Sequence, residues 1–320
     1  MNGSEPMSDD ESWARETLRE VALESVRERR RTRRWGIFLR IVFLLIIGTA
    51  VFSTLGPLLA LGESQPTGPH TAVVQVNGPI LASRPANAER LIEGLERAFE
   101  AENAEGVLLQ INSPGGSPVA SSRVYQAIER LRSAHPETPV HAVAGDIMAS
   151  GAYYIAAAAD EIHVNGASLI GSIGVINRGF GFSEAINRLG IERRVYTAGD
   201  EKAGLDPFMP PDSDQIEEMQ GMLDAIHEQF IEAVEAGRGD RLTGDPSSLY
   251  SGRIWTGGEG IEIGLADAYG SPESVARSVI GAPRRVDYTP RRRLLDRALE
   301  QVGSAMATTL NRMQGPTLRP

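Results

Sequence analysis

The feature that most limits how this chain can fold is an uncharged run of 21 residues, Ile41–Leu61, opening with Ile41-Val-Phe-Leu-Leu-Ile-Ile47. A helix needs about 20 apolar residues to cross a bilayer, where it satisfies its own backbone, so the run predicts a transmembrane helix. Its flanks are unequal. Seven arginines (27, 29, 30, 31, 33, 34 and 40) precede it with only Glu28 among them, and no Lys or Arg follows until Arg84. That bias predicts a cytoplasmic N-terminus, with the bulk of the chain on the far side of the membrane. Ala60-Leu61-Gly62 loosely resembles a signal-peptide cleavage site. The apolar region of a cleaved signal is only about 7–15 residues, however, so the run reads as a signal anchor, 35–61. The acidic-then-basic stretch 1–34 reads as a flexible cytoplasmic tail.

Beyond a linker at 62–70, strand and helix signals alternate. Thr71–Val76 is rich in β-branched residues, and Asn87–Phe99 carries Leu91, Leu95 and Phe99 on one helical face. Val107–Ile111 is an apolar run broken only by Gln110, as expected of a strand covered on both sides. It ends in Asn112-Ser-Pro-Gly-Gly-Ser117, after which Val124, Ile128 and Leu131 mark a helix. Val140–Val143, Ile162–Val164 and Ile191–Tyr196 read as further strands. A long helix is predicted from about Asp212 to Ala236, and Thr256 with Glu259 forms a candidate capping box. The order βαβαβα predicts an α/β domain with largely parallel strands, over 71–280. In the extension 281–320, apolar residues from Leu294 to Met313 recur at helical spacing. They suit an amphipathic helix against a partner or anionic lipid, or a helix folded back on the domain.

Composition removes several chemistries. The net charge of −10 argues against a nucleic-acid surface, and the absence of Cys excludes disulfides and thiolate catalysis. The five histidines (70, 135, 141, 163 and 227) show no His-Glu-x-x-His pairing, so no metal or other cofactor is expected. Of the 32 basic residues 31 are Arg, and the only Lys is Lys202. Arg cannot act as a base at neutral pH, whereas Lys can.

Four segments carry candidate chemistry. Asn112-Ser-Pro-Gly-Gly116 follows a buried strand and lets backbone N–H groups approach a ligand, a turn that is also common for purely structural reasons. Met148-Ala-Ser-Gly-Ala-Tyr-Tyr154 sets Ser150 among small residues at the start of a helix, where an ordinary helix cap is the competing reading. Gly171-Ser-Ile-Gly174 holds Ser172 on a turn. Tyr196-Thr-Ala-Gly-Asp-Glu-Lys-Ala-Gly204 carries Lys202 beside small residues and the apolar run Leu205–Met209.

Taken together these blocks resemble the signal peptide peptidase A family, membrane-bound bacterial serine proteases related in fold to the ClpP and crotonase group. Gly252-Arg-Ile-Trp-Thr-Gly257 and Gly264-Leu-Ala-Asp267 extend the resemblance, which runs from Thr71 to about Gly270. The separation of 52 residues between Ser150 and Lys202 suits a short, single-domain member. The resemblance implies a ClpP/crotonase-like domain of stacked ββα units behind one N-terminal transmembrane helix, at the bacterial inner membrane with the protease domain outside the cytoplasm. It implies Ser150 as nucleophile and Lys202 as general base, with oxyanion N–H groups from Gly116 and Gly151 and with Ser172 orienting the lysine amine. The implied substrates are remnant signal peptides. In short members the site is completed between neighbouring protomers of a ring-like homo-oligomer, so Ser150 and Lys202 are expected beyond hydrogen-bond reach within one chain. Such a lysine must be neutral at pH 7 although its reference pKa is near 10.4, which requires burial without a carboxylate partner. Asp200, Glu201 and Asp206 are accordingly expected to point away.

Three rival readings share the fold. A Ser-His-Asp protease of the ClpP type needs a histidine about one strand–turn unit after the serine; residues 164–226 contain none, and His163 follows too closely along a strand expected to be structural. A crotonase-type acyl-CoA enzyme would use the glycine N–H groups but not the anchor or the Ser/Lys pair. A non-catalytic membrane scaffold, or one partnered with stomatin-like proteins, would need neither residue.

Overall fold

The structure, a computed structural model, describes residues 35, 37–49 and 67–290, with backbone only at Asp200 and Glu201. The chain divides into two compact units, 1–65 and 66–320. In the first, residues 37–49 form helix α1, with Phe38, Leu39, Phe43, Leu44, Leu45 and Ile46 exposed. No helix among the described residues is long and apolar enough to cross a membrane. The expected anchor is described only as far as Thr49, and its remaining part lies outside the described residues.

The second unit is built on an eight-stranded sheet. Strand β1 (His70–Asn77) leads through helix α2 (Ala88–Phe99) to β2 (Ala104–Ser113). Helix α3 (Pro118–Ala134) then leads to β3 (Val140–Ala149). These strands pair in parallel, in register Val73↔Leu108 and Leu109↔Ala142, as the alternation of apolar strands and amphipathic helices predicts. Asn87 caps α2 by accepting the Arg90 N–H, and Ser117 caps α3 ahead of Pro118. The stripes Leu91/Leu95/Phe99 and Val124/Ile128/Leu131 are buried against the sheet.

β3 then serves two neighbours along one edge. Its first half pairs with β4 (Glu161–Val164) and its last residues with β5 (Leu169–Gly171), both in parallel. Between β3 and β4 lies helix α4 (Gly151–Ala156), all six residues buried. Beyond β5 come the short helix α5 (Ser183–Arg188), the long helix α6 (Ser213–Arg238) and the short helix α7 (Pro246–Leu249). Strand β6 (Ile254–Thr256) runs antiparallel to β5 and enters helix α8 (Gly257–Glu262) through the expected Thr256–Glu259 capping box. β7 (Ala268–Tyr269) adds to β4, and β8 (Arg285–Asp287) adds to β1. Residues 285–290 of the span read as a C-terminal extension thus belong to this unit, and residues 291–320 lie outside the described residues.

One large core of side chains from β1, β2, α2, α3 and α4 fills one face of the sheet. A small cluster of Val73, Leu108, Val143, Val275 and Ala276 covers the other. Ile191–Tyr196 is not a strand, contrary to its β-rich sequence. It is irregular, with Ile191 and Tyr196 exposed, because no strand among the described residues lies alongside to accept its backbone.

At the far end of the core, Arg238 is fully buried and forks onto Asp267, with Nη1–Oδ2 at 2.7 Å and Nη2–Oδ1 at 2.9 Å. Its Nε donates to the Gly264 carbonyl, and the Ile162 N–H donates to Asp267. Burial pushes the Asp267 carboxyl up. The Arg238 hydrogen bond, the Ile162 N–H and the guanidinium charges outweigh it and hold the carboxyl below its ordinary value. This gives the Gly264-Leu-Ala-Asp267 block a structural role.

Candidate active site

Ser150 stands where β3 ends and α4 begins, with φ 52° and ψ −128°. A non-glycine residue pays about 1–3 kcal/mol to sit in such a region, and strain of this kind clusters at functional sites. The turn is held from both sides. Ser150 N–H donates to the Gly171 carbonyl at 2.8 Å, and Tyr154 N–H donates to the Ser150 carbonyl at 3.0 Å. The serine makes no side-chain cap. Its hydroxyl is half-buried and has no protein partner among the described residues. A cap would accept an N–H of the first helical turn, so the helix-cap reading of Ser150 fails.

The glycine loop lies directly against this elbow. Gly115 has φ 92°, and a Cβ there would stand 2.7 Å from both the Ala149 oxygen and the Gly151 nitrogen, so only glycine fits. A Cβ on Gly151 would lie 3.3 Å from the Gly116 nitrogen, which places those two backbones side by side next to the serine. The Gly115 N–H is taken by Ser113 Oγ at 3.1 Å. Those of Gly116 and Gly151 meet no protein acceptor among the described residues.

Ser172 follows the neighbouring strand β5 as Ser150 follows β3. Ala149 and Gly171 are register partners, so the two serines leave adjacent parallel strands together, and Ser172 also has φ 52°. Its N–H donates to the Arg253 carbonyl at 2.8 Å. Trp255 packs on Gly171, with the Arg253 guanidinium 3.9 Å over the indole. The Gly252-Arg-Ile-Trp block therefore buttresses the second serine.

Lys202 lies apart from these contacts, on a short 3₁₀ turn, Asp200–Ala203, and is exposed. Among the described residues no hydrogen bond or ion pair holds its ammonium group or joins it to Ser150 or Ser172. Asp206 is engaged elsewhere. It accepts the Phe208 N–H and pairs with Arg193 at 3.0 Å, which together hold its carboxyl below the usual range. The side chains of Asp200 and Glu201 lie outside the described residues. The segment between β5 and Lys202 is unusually apolar for its exposure: Ile176, Phe180, Leu189, Ile191 and Tyr196 are each more than half exposed.

The sequence did not point to the residues that pin the glycine loop. Ile80 N–H donates to the Gly115 carbonyl and Ser117 N–H donates to the Ile80 carbonyl, both at 2.9 Å, so a loop after β1 locks the turn after β2. Asn112 Oδ1 accepts the Ile147 N–H at 3.2 Å and ties that turn to β3. Of these only Asn112 sat within a motif, and Ile80 reads as an ordinary apolar residue in a Gly-Pro loop.

A serine on a strained strand–helix elbow, beside a glycine loop with free N–H groups, defines an α/β protein with the layout of a nucleophile site. Comparison with known proteins agrees. The chain matches peptidase family S49 over residues 132–280, a span that includes Ser150, Ser172 and Lys202. The "Serine protease SPPA, chloroplastic" of Arabidopsis thaliana is 30% identical over 207 residues, 62% of this chain and 29% of that one. "Protease 4" of Haemophilus influenzae is 29% identical over 204 residues, 62% of this chain and 32% of that one. A Brucella abortus protein named "Na(+)/H(+) antiporter NhaA" is 40% identical over 237 residues, 72% of this chain and 32% of that one. This chain belongs to peptidase family S49. It spans about a third of the length of these relatives, and what their names say of activity is said of them.

Proposed function

We propose that the protein is a membrane-anchored serine endopeptidase of ClpP/crotonase-like fold that acts through a Ser150/Lys202 dyad. The observation that carries the reading is the Ser150 elbow: a strained, uncapped serine beside the unpartnered N–H groups of Gly116 and Gly151. In this reading the Ser150 hydroxyl attacks the scissile carbonyl while the neutral Lys202 amine takes its proton. The Gly116 and Gly151 N–H groups receive the oxyanion of the tetrahedral intermediate. Lysine then returns the proton to the leaving amine, and water repeats the cycle on the acyl-enzyme. Ser172, beside Ser150, orients the lysine amine.

Within one chain Lys202 is exposed, whereas a lysine that acts as a base needs burial away from carboxylates. The proposal therefore has Lys202 complete the site of a neighbouring protomer, in a homo-oligomer that buries the apolar segment around it. A transmembrane anchor at 35–61, with the peptidase unit outside the cytoplasm, follows from the arginine asymmetry. That position suits remnant signal peptides in the bilayer as substrates.

Hydrolysis of an apolar signal-type peptide by wild type, Ser150→Ala and Lys202→Arg tests the dyad. Both variants are expected to lose essentially all activity. Equal turnover by all three proteins overturns the dyad, and no turnover by any of them favours a non-catalytic scaffold.

A further inference from the structure

Roughly 30 Å along β3 from Ser150, at about 3.3 Å per residue, a second cluster of functional side chains lies on the face of the sheet bearing Val143 and Val275. His141 on β3 stands opposite Glu161 on β4, and His163 stands opposite Val143. The pleat puts positions two apart on one face, so His141, Glu161 and His163 converge. Both imidazoles are buried, at 5% and 3% exposure, while the Glu161 side chain is half exposed.

Three atoms meet at one point. His163 Nε2 is 3.2 Å from Glu161 Oε2 and 3.4 Å from His141 Nδ1, which is 3.6 Å from the same Glu161 oxygen. Two imidazole nitrogens and a carboxylate oxygen converge there within 4.8 Å of one another, a donor set that can hold a cation between them. Zinc bonds to nitrogen and oxygen are about 2.0–2.1 Å, and a tetrahedron of such bonds has edges of about 3.3–3.4 Å. The three observed separations match one face of it. The backbone fixes the geometry: a Cβ on Gly270 would stand 3.0 Å from His163 Cβ, so the chain there packs directly on the base of the ring.

We infer that His141, Glu161 and His163 form a binding site for a divalent transition metal of the zinc class, bound through Nδ1, Oε2 and Nε2, with a fourth position open toward the exposed side of Glu161. The donor set of two nitrogens and one carboxylate oxygen suits zinc and disfavours calcium or magnesium, which take oxygen ligands. A motif search on one helix could not find it, because the ligands come from two parallel strands twenty residues apart.

The test uses the full-length protein in detergent, stripped with EDTA and titrated with Zn²⁺ alone by calorimetry, with retained zinc counted by mass spectrometry after gel filtration. One zinc per chain is expected. Loss of an outer-shell partner already costs about 10–100-fold in affinity, so Glu161→Gln is expected to cost at least about tenfold. Its half-exposed side chain makes this variant safe for folding. His163→Asn is expected to weaken binding as much, and His227→Ala, remote in sequence and outside the cluster, to leave it unchanged. Co²⁺ should give tetrahedral d–d absorption in wild type that Glu161→Gln loses. Absence of stoichiometric zinc, or equal affinity in wild type and Glu161→Gln, overturns the site and leaves a shared proton as the bridging cation.

Discussion

Strain at Ser150 makes a prediction that separates chemistry from stability. At φ 52° and ψ −128° a side chain costs about 1–3 kcal/mol, which glycine does not pay. Glycine loses about 0.5–1 kcal/mol more conformational entropy on folding. The hydroxyl makes no cap and no other protein hydrogen bond among the described residues, so its removal forfeits little. Ser150→Gly should therefore stabilise the protein by about 0.5–2 kcal/mol. Ser150→Ala keeps the Cβ and the strain and should be close to neutral. For a domain of this size 1 kcal/mol is about 2–4 °C in Tm. Thermal and urea unfolding of the full-length protein, followed by circular dichroism, reads the difference, and both variants should be inactive on peptides. Ser150→Gly melting at or below Ser150→Ala would refute the strain argument, and with it the claim that stability is given up here for a poised hydroxyl.

Ser172 shares the same φ, so Ser172→Gly should also unfold at higher urea than Ser172→Ala. Asp267→Asn leaves the buried Arg238 guanidinium without its counter-charge and should cost about 3–5 kcal/mol, read from the urea midpoint. Because the folded carboxyl of Asp267 titrates below its unfolded value near 3.9, its contribution is present at neutral pH. It should fade as pH falls through the folded pKa, and the acid limb should flatten in Asp267→Asn. Mixing inactive Ser150→Ala and Lys202→Arg chains before assembly should restore about a quarter of wild-type turnover if each site takes one residue from each of two neighbours across a head-to-tail interface. No recovery would mean that each chain supplies both.

The parallel core was legible because its signals are local and repeated. Val107–Ile111 is apolar but for Gln110, close to what a two-face-covered strand requires, and the stripes of α2 and α3 have one buried side each. Thr256 and Glu259 announced a helix start through capping chemistry. Ile191–Tyr196 misled, since β propensity registers side chains suited to a sheet and not whether a partner strand lies alongside. Ser150 was visible as a serine among small residues, yet its elbow was not, because that φ is imposed by hydrogen bonds to Gly171 and Tyr154. The clasp by Ile80 and the convergence of His141 with Glu161 and His163 were equally hidden. Both arise from registers between segments distant in sequence.

The most direct test of the account is covalent labelling by a serine-directed fluorophosphonate, with the modified residue located by peptide mapping. The dyad predicts stoichiometric label on Ser150 in the assembled wild-type protein, loss of peptidase activity in step with labelling, and strongly slowed labelling in Lys202→Arg. Peptidase activity that survives without label on Ser150, or label falling on another serine as activity is lost, would contradict it.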